Sequence, residues 1–184
     1  MRVSVTLLQY DHGLIRQVVE VLAHVVKERN AGKHLESVKE MVGFQDRFTD
    51  ALHHRKEEKF LFPAALENGS LSKDDYEQLF SDHENARRHI RAMRDQLRSA
   101  DLDMFYVSAA EYVERMLHHI HHEEDVFFPK IEESLSEDQD AMIFKQFGDY
   151  LERNFPTDVY PVAESFANRV QDEILGPGYF EQAH

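Results

Sequence analysis

Residues 53–63 read His-His-Arg-Lys-Glu-Glu-Lys-Phe-Leu-Phe-Pro, and residues 119–129 read His-Ile-His-His-Glu-Glu-Asp-Val-Phe-Phe-Pro. The two stretches align without a gap. His53 falls on His119, Glu57 on Glu123, Glu58 on Glu124 and Pro63 on Pro129. The segments before them repeat as well. Val5, Leu8, His12, Ile15, Val19, Leu22 and Val26 form one apolar stripe at helical spacing. Tyr76, Leu79, His83, Ala86, Ile90, Met93 and Leu97 form a second, with the same offset at every position. Each stripe carries one histidine at the same place, directly after an aspartate: Asp11-His12 and Asp82-His83.

The chain therefore reads as two helical hairpins. The spacing predicts helices over about 4–29, 34–66, 73–99 and 103–133. Asn30-Ala31-Gly32 and Asn68-Gly69-Ser70 are turn signals, and Ser72 with Asp75 resembles a helix N-cap. Short connections make successive helices antiparallel, so residues 1–134 are expected to form an all-α, up-down-up-down four-helix bundle. Residues 135–184 exceed what four helices need. Ile143, Phe147, Tyr150 and Leu151, then Val159, Val162, Phe166, Val170 and Ile174 after Pro156, predict two further helical pieces. These either lie across the bundle or contact another chain, as in a homodimer.

Bulk properties narrow the function. The 184 residues suit one domain with a substantial core, or a domain with a small extension. Zero cysteines exclude disulfides, thiolate nucleophiles, cysteine-ligated clusters and zinc fingers. A net charge of −14 argues against nucleic acid and anionic membrane surfaces as partners. No run approaches the roughly 18 apolar residues of a membrane span, and the N-terminus lacks the apolar stretch of a signal peptide. A cytoplasmic location is the expectation.

The histidine-rich motifs offer competing registers. Both His53/Glu57 and His54/Glu58 are spaced at i, i+4, as are His119/Glu123 and His121/Asp125. Superposing the two repeats leaves one register that pairs histidine with glutamate in both halves: His53/Glu57 and His119/Glu123. The apolar face of the fourth helix, defined by Tyr112, Val113, Met116, Ile120, Phe127 and Ile131, contains His119 and Glu123 at 100° per residue. His118, His121 and His122 point away, and the second helix favours His53 over His54. The five remaining candidates, His54, His89, His118, His121 and His122, are expected at the solvated surface.

A single histidine on an apolar face is more often a hydrogen-bonded core residue than a ligand. Two inward glutamates are a different matter, because a buried carboxylate is costly unless it is paired or coordinated. His12, His53, Glu57, His83, His119 and Glu123 are therefore the candidate metal ligands. Imidazole with carboxylate suits iron, manganese or zinc. Structural zinc prefers four closed ligands, often with cysteine. Six ligands with two carboxylates able to bridge suit two octahedral ions, joined by an oxide or hydroxide, with positions left for solvent or a small molecule. The zincin His-Glu-x-x-His and the ferritin-like Glu-x-x-His patterns are absent.

These motifs resemble the hemerythrin-like, or HHE cation-binding, family of four-helix-bundle di-iron proteins. The resemblance covers about residues 5–133. It rests on Asp-His in the first and third helices and His-x-x-x-Glu-Glu-x-x-x-x-Pro in the second and fourth. It implies that the six residues named above hold two non-haem irons, with Glu57 and Glu123 as bridges; zinc or manganese could substitute. Oxygen-carrying hemerythrins have a second histidine one turn after the third-helix ligand, where this chain has Arg87. They place an aspartate where Glu124 stands here. These departures point away from simple reversible oxygen transport and towards one metal with more exchangeable positions. The leading expectation is a di-iron protein that binds oxygen or nitric oxide as a sensor, store or scavenger. The alternatives are a redox enzyme acting on peroxide or nitric oxide, an iron donor or store, and an interaction module that binds metal only for stability. No nucleophile or reductase domain is visible, which favours binding over turnover.

Overall fold

The computed structural model describes residues 2–179 and is helical throughout its ordered elements. Four long helices form the bundle: α1 (Val3–Glu28), α2 (35–67), α3 (Lys73–Arg98) and α4 (102–134). Two more follow, α5 (Glu137–Asn154) and α6 (Val159–Ile174). The four expected bundle helices appear with ends within a residue of their predicted bounds, and both later helices are present. The expected extension, 135–184, runs past the described residues at 180–184.

Local chemistry explains the ends. Arg29, in the left-handed conformation at φ 48°, closes α1. Gly69, at φ +79°, turns the chain after α2. Ser72 and Asp75 form a reciprocal capping box at the start of α3, and Ser136 and Gln139 do the same for α5. Helix α1 has no cap from its own chain neighbour. Asp140 of α5 supplies it, accepting from the N–H groups of Val3 and Ser4 at 2.9 and 3.0 Å.

Helices α2 and α4 are not α-helical throughout. Gln45–His54, Glu57–Leu61 and Glu123–Phe127 are π-helical. The N–H of Phe62 bonds the Glu57 carbonyl, and that of Phe128 bonds the Glu123 carbonyl, five residues back in each case. The prolines give a physical reason. Pro63 and Pro129 have no N–H for the carbonyl four residues earlier, and their rings would collide with it. A wider turn just before each proline removes that conflict.

Helices α1 to α4 pack in a closed ring, each against the next and α4 against α1. Helices α5 and α6 lie on the α1/α2 side. The core is divided in two. One apolar cluster includes Ile15, Leu22, Met41, Leu52, Ile90 and Tyr112; the other includes Leu8, Leu61, Phe62, Leu79, Phe127 and Phe147. Between them lies a layer of buried histidines and carboxylates. Each bundle helix crosses that layer once, so the layer is where the four motif-bearing turns meet.

Candidate metal centre

All six residues singled out by sequence converge in this layer. His12, His53, Glu57 and Glu123 present ligand atoms within 4.8 Å of one another, and so do Glu57, His83, His119 and Glu123. The two carboxylates belong to both groups. Glu57 sits with Oε1 3.5 Å from His53 Nε2 and Oε2 3.5 Å from His83 Nε2. Glu123 Oε2 lies 3.2 Å from His12 Nε2 and 3.3 Å from His119 Nε2. The Nε2 atoms of His83 and His119 are 3.1 Å apart, aimed at one point. Neither Glu57 oxygen and neither Glu123 oxygen has a hydrogen-bond partner. Orphaned buried oxygens facing imidazole nitrogens are what a cation would satisfy, since burying such groups unpaired costs several kcal/mol, roughly.

The electrostatics of the layer agree. Burial, together with the charges of neighbouring histidines and lysine or arginine, holds His53 and His83 well below the usual imidazole range. Burial also lowers His119, to about 4. Neutral imidazole is the form that ligates. Burial and the facing Glu123 push the Glu57 carboxyl well up. Without a cation, then, Glu57 sheds its charge, whereas the facing histidines outweigh burial and hold Glu123 below the usual carboxylate range, and Glu123 with Glu124 holds His12 above the usual imidazole range.

The other nitrogens are faced from outside by carboxylates, in a pattern that crosses between the repeats. Asp11 of α1 faces His53 Nδ1 at 3.1 Å, and Asp82 of α3 faces His119 Nδ1 at 4.0 Å. Glu58 faces His83 Nδ1 at 2.9 Å, and Glu124 faces His12 Nδ1 at 3.1 Å. The three within 3.1 Å fix the imidazole tautomer and aim Nε2 inward, while Asp82 stands beyond hydrogen-bond distance of His119. An arginine clamps each glutamate: Arg87 bonds Glu58 at 2.5 Å and Arg16 bonds Glu124 at 2.7 Å. Arg87 also pairs with Asp50 and Glu84, so it is turned outward from the centre. Phe128 stacks on His12 and Phe62 on His83. In sequence these aspartates and second glutamates stand inside the histidine motifs, with nothing local to assign them a partner. Their recurrence in both halves was the signal.

His118 and His121 are exposed, as expected, whereas His89 and His122 are half-buried. The expectation for His54 was wrong. It is 0% exposed, and its nitrogen lies within 4.8 Å of those of His83 and His119. The phase used for α2 assumed 100° per residue, and its π-helical turns bring His53, His54, Lys56, Glu57 and Glu58 all into the interior. One sequence feature pointed this way. His54 aligns with Ile120, a residue of the inward face of α4.

The layer is not equally enclosed on both sides. Beyond His53, Asp11 is bonded by the buried Lys56 at 2.5 Å and by Tyr160 of α6 at 3.0 Å. Burial pushes the Asp11 carboxyl up against the pull of both partners. Beyond His119, a cleft of about 710 Å³ opens between α3 and α4, lined by His54, Asp82, Ala86, His89, His119 and His122.

Among known proteins, the family described as Hemerythrin HHE cation binding domain matches residues 3–131. No curated protein and no solved structure gives a significant match.

Proposed function

The chain belongs to the hemerythrin HHE cation-binding domain family, and from that premise we propose that it is a non-haem di-iron protein binding a diatomic ligand, oxygen or nitric oxide. Its role would be that of a sensor, store or scavenger. The observation that carries this reading is the sharing of Glu57 and Glu123 between two groups of four ligand atoms. Residues in that arrangement hold two ions side by side. His12 and His53 would serve one, His83 and His119 the other, and the two glutamates both. When bound, the irons supply redox-active positions open to a small molecule.

The chain's own residues do the rest. Asp11, Glu58 and Glu124 orient the imidazoles of His53, His83 and His12. The apolar clusters above and below exclude water. The cleft between α3 and α4 gives a small molecule a route to His119. That cleft has room for peroxide or for two nitric oxide molecules at once, which favours turnover of peroxide or nitric oxide as a second reading.

The test has two stages. Anaerobically loaded protein should contain two irons per chain by elemental analysis; one zinc, with no iron uptake, would sink the reading. Reduced protein is then mixed in stopped flow with nitric oxide, oxygen or peroxide. Stoichiometric binding of nitric oxide supports the ligand-binding role, and repeated consumption with product release supports turnover. His89→Trp, at the wall of the cleft, should slow nitric oxide binding without changing metal content. Val162→Trp, exposed on α6, should change neither.

A further inference from the structure

We propose that His54 is a fifth imidazole ligand of the centre, forming a three-histidine face with His83 and His119. The inference rests on the metal-centre reading above and makes the two metal positions chemically unequal. Four observations carry it. The side chain is fully buried, and neither ring nitrogen has a hydrogen-bond partner. Leaving such a group unsatisfied costs about 1–3 kcal/mol, so its retention needs a partner. Its ring stacks on His83 with centroids 3.8 Å apart and meets His119 edge-on at 5.8 Å. One ligand nitrogen each from His54, His83 and His119 lies within 4.8 Å of the others.

Its orientation also follows the rule of the other four histidines. Nδ1 faces a carboxylate, Asp50 Oδ1 at 3.6 Å, and Asp50 is itself held by Arg87 at 2.6 Å. That leaves Nε2 for the centre. Arg87 thus acts from outside, while α2 rather than α3 brings the extra nitrogen. The repeat shows why only one position gains it. The counterpart of His54 is Ile120, which offers no ligand atom to the side of His12 and His53. His54 also stands at the inner wall of the cleft, beside His119.

Cobalt(II) provides the test, because its visible spectrum and its paramagnetic shifts report ligands directly. Metal-free wild-type protein titrated with cobalt should take up two ions per chain. His54→Ile, which installs the residue found at the repeat position, should bind one ion as before and the other at least about tenfold more weakly, since even outer partners of a ligand set are worth that much. Added imidazole should restore the weakened step. Unchanged binding of both ions, or equal weakening of both without imidazole rescue, overturns the proposal. A measurement on the unmutated protein guards against a variant that folds poorly. Cobalt-loaded wild type should show five exchangeable, strongly shifted imidazole N–H resonances, and four would exclude His54. Wild type that takes up fewer than two ions defeats the two-metal reading itself, a result distinct from two ions with four resonances.

Discussion

Asp11 and Asp82 hold the same place in the repeat, each beside one histidine of the centre and facing another. Asp11 is sealed under α6, with Lys56 and Tyr160 bonded to it, whereas the Asp82 side chain is 28% exposed at the edge of a cleft. Lys56 has His122 as its counterpart, and among the described residues no helix covers the α3/α4 side as α5 and α6 cover α1/α2. The repeated hairpin sets equivalent inward residues, and the added C-terminal helices break that equivalence. One side of the centre becomes an ionic core, and the other remains accessible. Lys56 rests against Phe147 of α5 and Tyr160 of α6, 5.3 and 5.8 Å from their ring centres, so the seal and the buried charge depend on each other.

The largest effect expected from any substitution is one that ignores the asymmetry. Glu123→Ala removes a carboxylate common to both groups, so both ions should be lost and thermal stability should fall to that of metal-free protein. His121→Ala, on the exposed face, should retain both ions by elemental analysis. Retention of one full ion by Glu123→Ala would mean that the halves bind independently.

Lys56→Met sharpens the contrast next. It leaves buried Asp11 with Tyr160 and His53 as partners but without its lysine counter-charge, which should cost about 3–5 kcal/mol in denaturant unfolding. His122→Met at the repeat-equivalent place should shift stability by no more than about 0.5 kcal/mol. Equal costs would show that the sealed side is no more ionic than the open one. Tyr160→Phe is smaller. It removes one hydrogen bond to Asp11 and should cost about 1 kcal/mol, with metal content unchanged.

The smallest effect concerns how the cover is fastened. Burial opposes ionisation of Asp140, but the Ser4 hydroxyl and the N–H groups of Ser4 and Val3 outweigh it and hold its carboxyl below the usual range. A lowered folded-state value stabilises above the unfolded value near pH 4, and that contribution fades as pH falls through the folded value. Asp140→Asn should therefore cost about 0.5–1 kcal/mol at pH 7, and the deficit should shrink in acid. A deficit that grows as pH falls would contradict the cap.

Much of this molecule is legible in one dimension. Apolar periodicity and turn residues located the helices, because a helix that buries one face must repeat its apolar positions every 3.6 residues. Aligning the two hairpins selected His53/Glu57 and His119/Glu123 over their competing registers, because equivalent positions in a repeat meet equivalent surroundings. The family match over residues 3–131 agrees with the resemblance carried by those motifs.

What the sequence alone determined, then, is the bundle and the six inward residues at its waist. Tertiary structure decided the rest. The buried position of His54 depends on the π-helical run Gln45–His54, which shifts the phase that a fixed 100° step assumes; Pro63 and Pro129 mark only the wide turns next to them. The outer partners are set by helix packing across the repeats: Asp11 serves His53 and not its neighbour His12, and Glu58 serves His83 and not His53. The seal over Asp11 depends on where α5 and α6 come to rest, and their apolar spacing defines a face without naming the surface it covers. Periodicity records which side of a helix is buried. Contact between helices is a property of their relative rotation and approach, and that emerges only when all six are packed.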